Sequence, residues 1–349
     1  MKKIRLLVLG TGNMARNQAL EFVNDSRVEL VGACDLMPGR AAEFAKSFGM
    51  SNSFEDLDKA IAWGEFDAAT NVTPDAIHYP TTMKLLAAKK HVLCEKPLAE
   101  NFALADEMAT TADAAGVINM VNLTYRNVAA IHVARKLVAD GTLGVIRHVE
   151  ASYRQSWLVG NHWGDWKTMP MWLWRLSEKH GSKGVLGDVG IHILDFASFA
   201  CGAMPISVQA RLKTFHKAPG DQIGEYPLDA NDTAVITAEF ANGAVGIIQA
   251  SRFMTGHDNE LHLRIHGDKG AVEVKHFEGW TELKACTGDN VNRMAWQHIR
   301  PDPVETNYRK FINAIDAGKN GDPDFRRAAD LQKILDACYS DAAGKALTL

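Results

Sequence analysis

Near its amino terminus the chain reads Lys3-Ile-Arg-Leu-Leu-Val-Leu-Gly-Thr-Gly-Asn-Met-Ala15. The apolar beginning of this stretch predicts a buried parallel strand, and the G-x-G-x-x-A turn that follows opens a predicted helix running to about Val23. Gly10 permits the tight turn, Gly12 lets a backbone approach a pyrophosphate, and Ala15 allows the helix to pack closely on the strand. The free N–H groups at the start of the helix favour phosphate binding. This strand–turn–helix unit therefore predicts a dinucleotide-binding domain.

A second predicted strand, 28–34, ends in an acidic residue, Asp35. It stands about 20 residues beyond the glycine-rich turn, where a carboxylate commonly grips the ribose 2′-hydroxyl of NAD. Because a carboxylate repels a 2′-phosphate, the sequence favours NAD over NADP, although Arg40 nearby leaves NADP open. The alternative is that Asp35 is a loop residue or caps the helix that starts near Arg40. The predicted cofactor contacts in this part of the chain are Gly10, Gly12, Asn13, Met14, Asp35 and Arg40.

Another short apolar strand is followed by a proline in His91-Val-Leu-Cys-Glu-Lys-Pro-Leu98. Pro97 cannot donate to a sheet ladder, and it disfavours helical geometry at the residue before it. Lys96 is thus expected at the carboxyl end of a parallel strand, where open α/β sheets bind ligands. On its own, the tripeptide Glu95-Lys-Pro97 is more typical of a solvated turn.

The segment Thr73-Pro-Asp-Ala-Ile-His78 ends a further predicted strand and should border the same cofactor. His78 is more typical of a structural hydrogen bond than of a chemical role. This part of the chain adds Thr73, Pro74, His78, Glu95 and Lys96 to the predicted cofactor contacts.

The order of strands and helices predicts two domains. Alternation through residue 125 predicts an α/β domain, a doubly wound parallel sheet of the Rossmann type that binds the dinucleotide. From residue 126 onward the strand signals alternate polar and apolar residues, with hairpin turns at Asn242-Gly243 and 267–270. They predict an α+β domain over 126–349, with an open, largely antiparallel sheet that binds substrate and covers its free face as a homo-dimer or homo-tetramer. Individual predictions include a helix over 99–115, a strand over 117–123, a helix over 303–317 and a last helix over 324–343 that is also able to pack on the first domain.

The second domain contains Gly184-Val-Leu-Gly-Asp-Val-Gly-Ile-His-Ile-Leu-Asp195. A helix from about Leu186 would place Asp188 and His192 at i and i+4 on one face. A histidine beside a carboxylate is suited to proton transfer near neutral pH. Two alternatives stay open: a helix packed by its glycines with a structurally bonded histidine, and a metal site that adds His180, for which the spacing supplies no further ligand. We predict no metal.

A cluster of tryptophans precedes this motif. Indole rings suit the apolar faces and hydroxyl rims of sugars, and they also suit subunit interfaces, so both interpretations stay open. The cluster comprises Trp157, Trp163, Trp166, Trp172 and Trp174. The predicted substrate contacts are Tyr125, Arg126, Trp157, Trp163, Trp166, Asp188 and His192, together with Lys96.

Composition restricts the classes of function. At 349 residues the chain is long enough for two domains, and its net charge of −4 implies no surface for nucleic acid. The apolar run near the amino terminus is interrupted by Arg5 and lacks a cleavage site, so we interpret it as a strand and not as a signal peptide. No stretch approaches the length of a membrane span. Five scattered cysteines predict reduced thiols and a cytoplasmic location.

Taken together, these motifs resemble the Gfo/Idh/MocA family of NAD(P)-dependent oxidoreductases over essentially the whole chain. The carrying residues are the glycine-rich turn, Thr73-Pro74 with His78, Glu95-Lys-Pro97, and 184–195, where Val185 replaces the second glycine of the family pattern. The resemblance implies metal-independent hydride transfer between a nicotinamide cofactor and a sugar, polyol or related carbinol. It also implies roles for three residues: Lys96 hydrogen-bonds the reacting oxygen and orients the nicotinamide, His192 takes the hydroxyl proton, and Asp188 orients the substrate hydroxyl and tunes the histidine.

Two other functions fit this type of fold. One is an NAD-dependent glycosidase of the same family, which usually has a tyrosine-containing version of the histidine motif. The other is a non-catalytic, nucleotide-sensing regulator, which needs the glycine-rich turn but not the proton-transfer residues. The presence of Lys96, Asp188 and His192 together favours the oxidoreductase. The sequence identifies neither the sugar, nor the carbon oxidised, nor the direction of the reaction.

Overall fold

A computed structural model describes residues 3–342 of the chain. It divides into two compact units with boundaries after Thr124, Val304 and Lys333. The first unit holds the chain up to Thr124 together with Glu305–Lys333, and the second holds Tyr125–Val304 and the chain from Ile334. No helix within residues 3–342 combines the length and apolar character that a bilayer crossing requires.

The first unit is built on a six-stranded parallel sheet with the order β3-β2-β1-β4-β5-β6. Its inner strands are almost continuously apolar, as expected for strands that are covered on both faces. The strands are β1 (Ile4–Leu9), β2 (Val28–Cys34), β3 (Asn52–Phe54), β4 (Ala68–Asn71), β5 (His91–Cys94) and β6 (Asn119–Val121). The helices that alternate with them are α1 (Asn13–Val23), α2 (Arg40–Ser47), α3 (Leu57–Trp63), α4 (Asp75–Ala87) and α5 (Phe102–Ala115).

The second unit is built on an eight-stranded sheet with the order β16-β15-β14-β13-β7-β12-β11-β8. Only the central pair β7–β12 is parallel, so the sheet is mixed and largely antiparallel. Its main strands are β7 (Ile146–Gln155), β8 (Pro205–Lys213), β11 (Thr233–Phe240), β12 (Val245–Ser251), β13 (Asn259–Gly267), β14 (Gly270–Phe277) and β15 (Trp280–Thr287). Its eighth strand is the short β16 (Gln297–His298), and β9 (Gln222–Ile223) pairs with β10 (Tyr226–Pro227) in a separate two-stranded sheet.

One face of this second sheet carries two helices of the unit. Helix α8 (Ile191–Ala200) packs on β7, β12 and β13, and α6 (Ala129–Ala139) packs on β14 and β15. The two short helices of the unit are α7 (Pro170–Leu173) and α9 (Asn290–Arg293). Strand residues therefore alternate in burial, with Val149 and Ala151 of β7 under the helices. On the opposite face, Val235, Val245 and Ile247 are exposed.

The carboxyl-terminal helices are α10 (Asn307–Ala317) and α11 (Phe325–Ala342). Phe311 and Ile312 of α10 are fully buried in the core of the first unit, together with Phe22 of α1 and Leu93 of β5. This part of the chain thus completes a domain that begins at the other end of the sequence. Residue 343, where we predicted the last helix to end, lies outside the described residues.

Several predicted elements differ from the structure. The helix predicted from residue 99 begins at Phe102, since Asn101 caps it by accepting a hydrogen bond from the amide of Leu104 at 3.1 Å. The strand predicted over 117–123 is limited to β6, and the helix predicted from residue 303 begins at Asn307. Strand β15 was not predicted, because its charged residues obscure the apolar alternation.

The helix predicted from Leu186 is also different in detail. Leu186–Gly190 forms a wider π-helical turn, and the α-helix begins at Ile191. The expected α-helical i, i+4 alignment of Asp188 with His192 is therefore wrong, because a π turn closes its hydrogen bond one residue later. Such turns are frequent at functional sites.

Candidate active site

The glycine-rich turn after β1 has the backbone that phosphate binding requires. Gly10 has φ +84°, and a Cβ there would lie 2.6 Å from the carbonyl oxygen of Val72, so only glycine fits. Gly12 caps α1, and a Cβ on it would meet nothing within 4 Å. The open space at the start of the helix fits a pyrophosphate held by backbone N–H groups.

Asp35 at the end of β2 is held by its neighbours as an ionised acceptor. Its Oδ2 accepts from the amide and the hydroxyl of Thr11 at 2.9 and 2.6 Å, and its Oδ1 accepts from the amide of Met37 at 2.9 Å. Burial would raise the pKa of the Asp35 carboxyl, but these hydrogen bonds and the charge of Arg40 lower it below the usual value. An ionised carboxylate with lone pairs to spare fits the hydroxyls of a ribose.

Two features beside Asp35 bear on the rest of the nucleotide. Leu36 and Met37 are 74% and 56% exposed, and they offer an apolar surface that was not predicted. A surface pocket of about 320 Å³ next to Gly12 is lined by Arg16 and Arg40, among others. These two arginines would suit a 2′-phosphate, so NADP stays open beside NAD.

The loop that carries Lys96 is fixed by the carboxylate before it. Buried Glu95 accepts hydrogen bonds from the side chains of Gln18 at 2.6 Å and Asn122 at 2.7 Å, and its other oxygen accepts from the amide of Lys96 at 3.3 Å. The Lys96–Pro97 peptide bond is cis, and the Lys96 side chain is partly buried. Glu95 thus positions the loop, while Lys96 stands at the carboxyl end of β5 as predicted.

His78 connects two loops at this edge of the sheet. Its ring is fully buried, with Nδ1 2.7 Å from the carbonyl oxygen of Pro97 and Nε2 2.8 Å from that of Thr73. The structure therefore gives His78 a structural bond, the favoured interpretation of the sequence, and it joins the Thr73-Pro74 segment to the loop after Lys96.

In the second unit, His192 lies on α8 in a group of aromatic and polar side chains. Its buried ring meets the ring of Tyr125 edge to face, with centroids 5.0 Å apart. The hydroxyls of Tyr125 and Tyr153 hydrogen-bond to each other, and Asn259 donates to the Tyr125 hydroxyl at 3.3 Å. Burial raises the pKa of both tyrosines, so both phenols stay protonated. Tyr153 and Asn259 were missed; the alternation of β7 places Tyr153 on its inner face and was the available signal.

Asp188 in the π turn is paired with arginines. Its Oδ2 accepts from Nη2 of Arg252 at 3.0 Å and lies 3.7 Å from Nε of Arg175. Burial lowers the pKa of the Arg252 guanidinium, and the negative charge of Asp188 acts in the opposite direction. Arg252 was not predicted, because it lies 64 residues away in the sequence.

Arg126 has a structural role that replaces the predicted substrate contact. Its guanidinium is buried and donates to Asp195 from Nε at 2.6 Å and from Nη2 at 2.8 Å. The ring of Phe199 covers it, with 3.7 Å between the guanidinium carbon and the ring centre. A two-point bond of this kind inside the protein commits the side chain to its partner.

Most of the tryptophan cluster forms a small core of its own. Trp157 and Trp166 are only 3% and 5% exposed and pack with Leu158, Leu173 and Leu176. They are therefore core residues here, contrary to the predicted substrate contact. Trp163 is partly buried and stacks on Trp172 with centroids 5.6 Å apart, so it is the predicted tryptophan with surface left for a ligand.

His180 does not join a metal site. Its ring lies against Tyr226, with centroids 4.3 Å apart, and its Nδ1 is 2.9 Å from the Ser177 hydroxyl. Within residues 3–342, no three His, Cys, Asp or Glu side chains converge in the manner of a metal-binding group.

The chain belongs to the GFO/IDH/MocA family of oxidoreductases. Residues 4–123 match the model of an oxidoreductase family with an NAD-binding Rossmann fold, and residues 131–273 match the GFO/IDH/MocA carboxyl-terminal domain. The predicted family, fold class, enzyme class and NAD cofactor are thereby confirmed.

Similar proteins of known activity cover most of the chain. Levoglucosan dehydrogenase of Pseudarthrobacter phenanthrenivorans is 28% identical over 342 residues, with 88% of this chain and 85% of that protein covered. D-glucoside 3-dehydrogenase of Escherichia coli is 28% identical over 349 residues, with 97% and 95% covered. A solved structure of levoglucosan dehydrogenase in complex with NADH and levoglucosan has a TM-score of 0.84 at 25% identity, and the match covers 98% of this chain and 97% of that one.

Proposed function

We propose that the protein is an NAD-dependent dehydrogenase that oxidises a secondary hydroxyl of a sugar, polyol or sugar derivative, or reduces the corresponding carbonyl. The observation that carries this proposal is the His192 cluster, where a titratable ring lies against two protonated phenols and the Asn259 amide. Such a group can hydrogen-bond a substrate rich in hydroxyls and move one proton near neutral pH.

Three side chains share the chemistry in this proposal. Lys96 hydrogen-bonds the reacting oxygen, and its positive charge stabilises the alkoxide that develops as the alcohol is oxidised. His192 accepts the hydroxyl proton and returns it in the reverse direction. Asp188 accepts a hydrogen bond from a substrate hydroxyl and so orients the sugar. When bound, NAD supplies the acceptor or donor of the hydride.

The residues that would hold NAD lie at the ends of β1 and β2, in the glycine-rich turn 10–15 and at Asp35, a region that we name the nucleotide edge. Backbone N–H groups at Gly12 and the helix behind it receive the pyrophosphate, and Asp35 accepts the ribose hydroxyls. The open space at Gly12 and the lowered pKa of Asp35 support this assignment.

The sugar class is supported by the relatives and by one side chain. Two similar proteins carry names that specify a levoglucosan and a D-glucoside as substrates. The partly exposed ring of Trp163 offers the apolar surface on which a pyranose packs.

The test is nicotinamide absorbance across aldoses, anhydrosugars, inositols and glycosides, with NAD and NADP, in both directions. We expect turnover with at least one sugar, and we expect Lys96→Ala to lose it by about 10²–10⁴-fold while NADH binding persists. Lys59→Ala, at an exposed lysine of α3, is the matched control. Release of sugar from a glycoside without net NADH would favour the glycosidase, and tight NADH binding with no turnover at all would favour the regulator.

We further propose a homo-oligomer that covers the open sheet face, supported by exposed Val235, Val245 and Ile247. Ile247→Glu should lower the mass measured by sedimentation, whereas the same substitution at exposed Leu20 of α1 should not. An unchanged mass in Ile247→Glu would place the interface elsewhere.

The five cysteines are free thiols, which supports a cytoplasmic location.

A further inference from the structure

One arginine, Arg252, connects the carboxylate of Asp188 to the segment between β7 and the π turn that contains the tryptophan cluster (the tryptophan insertion). Arg252 follows β12 directly, and its side chain is completely buried. Its Nη2 donates to Asp188 at 3.0 Å, and its Nη1 donates to the carbonyl oxygen of Arg175 at 3.0 Å. The guanidinium carbon lies 5.1 Å from the centre of the Trp157 ring. A single planar group thus contacts the π turn and two points of the segment between β7 and that turn.

The charges around Arg252 show which carboxylate balances it. Two carboxylates lie near the guanidinium, Asp188 and Asp232. Asp232 is paired with Lys217, 2.6 Å away, and both of these side chains are fully buried. Since a buried carboxylate and a buried ammonium at this distance satisfy each other, the counter-charge of Arg252 is Asp188.

Other titratable groups face Asp188 from the surrounding elements. Arg175 approaches with its Nε at 3.7 Å. The phenols of Tyr125 and Tyr153 lie close enough for the charge of Asp188 to raise their pKa further. The cations of these two ion pairs, on Arg175 and Arg252, are both guanidinium groups, which do not lose their charge in proteins.

We propose that Arg252 is a positioning residue for the reaction, which holds Asp188 as a permanently ionised hydrogen-bond acceptor for a substrate hydroxyl. Protonation of Asp188 would leave a guanidinium buried without its counter-charge, and a low-dielectric interior penalises that strongly. Asp188 is consequently excluded as a proton carrier, and that step falls to His192 alone. This inference rests on the proposed function, in which Asp188 orients the sugar.

The same contact sets the distance between the carboxylate and the insertion. Because the guanidinium is rigid and planar, its bonds to Asp188 and to the Arg175 carbonyl fix both acceptors in one plane. The distance between the Asp188 carboxylate and the tryptophan insertion is therefore fixed for a sugar that hydrogen-bonds the one and packs on the other. Arg252 acts on substrate fit as well as on charge.

The main test compares pH profiles of kcat/KM for the active sugar in the wild type, Arg252→Gln and Asp188→Asn. In Arg252→Gln the Asp188 carboxyl loses its counter-charge, so its pKa rises and the acidic limb moves to higher pH. We expect kcat/KM at neutral pH to fall by about 100-fold, as for other losses of positioning. The double variant Arg252→Gln with Asp188→Asn should have a kcat/KM no lower than that of Asp188→Asn alone, because the two residues act as a unit. Arg293→Gln, at an exposed arginine of α9, is the control and should match the wild type.

A second variant keeps the test decisive if Arg252→Gln does not fold, which circular dichroism and thermal unfolding would reveal. Arg252→Lys retains the charge but cannot reproduce the planar two-point bond. We expect its acidic limb to stay at the wild-type pH while the KM for the sugar rises and kcat changes less. An unchanged KM in this variant would overturn the proposal.

The outcomes separate this inference from the proposed function. If Asp188→Asn loses activity while Arg252→Gln keeps both the wild-type acidic limb and the wild-type kcat/KM, the inference is wrong and the role of Asp188 stands. If Asp188→Asn is fully active, the role of Asp188 and this inference both fail. NADH binding, measured by fluorescence, should be the same in all these variants.

Discussion

The nucleotide edge of the first domain and the His192 cluster of the second assemble their polar groups in different ways. At the nucleotide edge, Gly12, Thr11 and Asp35 belong to one strand–helix–strand segment, and much of the binding capacity lies in the backbone. The His192 cluster instead draws Tyr125, Tyr153 and Asn259 from separate segments, and every one of its groups is a side chain. A site built from backbone groups of one segment can be recognised from a short sequence motif. A site built from side chains of distant segments can be recognised only in the folded domain.

The largest expected effect is on the side-chain site. His192→Ala should lower kcat by about 10²–10⁴-fold, because no other group in this proposal moves the proton. Steady-state rates with the active sugar, together with NADH fluorescence titration, measure this loss. His216→Ala, at an exposed histidine, is the control, and a fully active His192→Ala would remove the histidine from the mechanism.

The next effect concerns the buried pair that supports the same region. Arg126→Met leaves Asp195 buried without its partner, and breaking such a pair costs about 3–5 kcal/mol of unfolding free energy. Replacing both residues, in Arg126→Met with Asp195→Leu, should recover much of this loss, since no unpaired charge remains. Denaturant unfolding of the three variants gives the numbers. If Arg126→Met unfolds like the wild type but has a raised KM for the sugar, the original prediction of a substrate contact is restored.

A smaller effect is expected from a backbone change at the nucleotide edge. Ala at either Gly10 or Gly39 has to adopt a left-handed conformation, which costs about 1–2 kcal/mol. Only at Gly10 does the new Cβ also meet a carbonyl oxygen, that of Val72, so Gly10→Ala should be the less stable variant and should bind NADH more weakly. Thermal unfolding and NADH titration of both variants test this difference. Equal behaviour would show that the close approach is absorbed by the loop.

The smallest effect is a change of preference. Asp35→Asn removes the negative charge that opposes a 2′-phosphate, while Arg16 and Arg40 remain beside the pocket. The ratio of kcat/KM for NADP to that for NAD should rise by about tenfold or more, because like charges placed together cost several kcal/mol. Glu29→Gln, at an exposed carboxylate of the same strand, should leave the ratio unchanged. No change in Asp35→Asn would mean that another residue sets the preference.

The two regions also differ in how well the sequence predicts them. The turn at Gly10 and the places of Asp35 and Lys96 at strand ends follow from local patterns and agree with the structure, while their contacts with the cofactor stay predictions. The π turn at Leu186–Gly190 was not predicted, because nothing in its sequence distinguishes it from an α-helical turn. Arg126 was assigned to the substrate, since nothing local indicates that its guanidinium is committed to Asp195.

Arg252 is the clearest example of this limit. Its contact with Asp188 spans 64 residues, and a lone arginine after a strand carries no signal of its own. Trp157 and Trp166 illustrate the converse, because their clustering was visible while their burial was not. Chemistry that depends on distant pairs therefore has to be read from the fold.

The place of α10 has a consequence for the order in which the protein is made. A ribosome releases the chain from its amino terminus, and domains generally fold as units in that order. Here the core around Phe22 and Leu93 is filled by Phe311 and Ile312, which emerge only after residues 125–304 of the second domain have been synthesised. The nascent first domain must therefore wait with part of its apolar core uncovered, and this is the stage of synthesis at which a chaperone would be needed most.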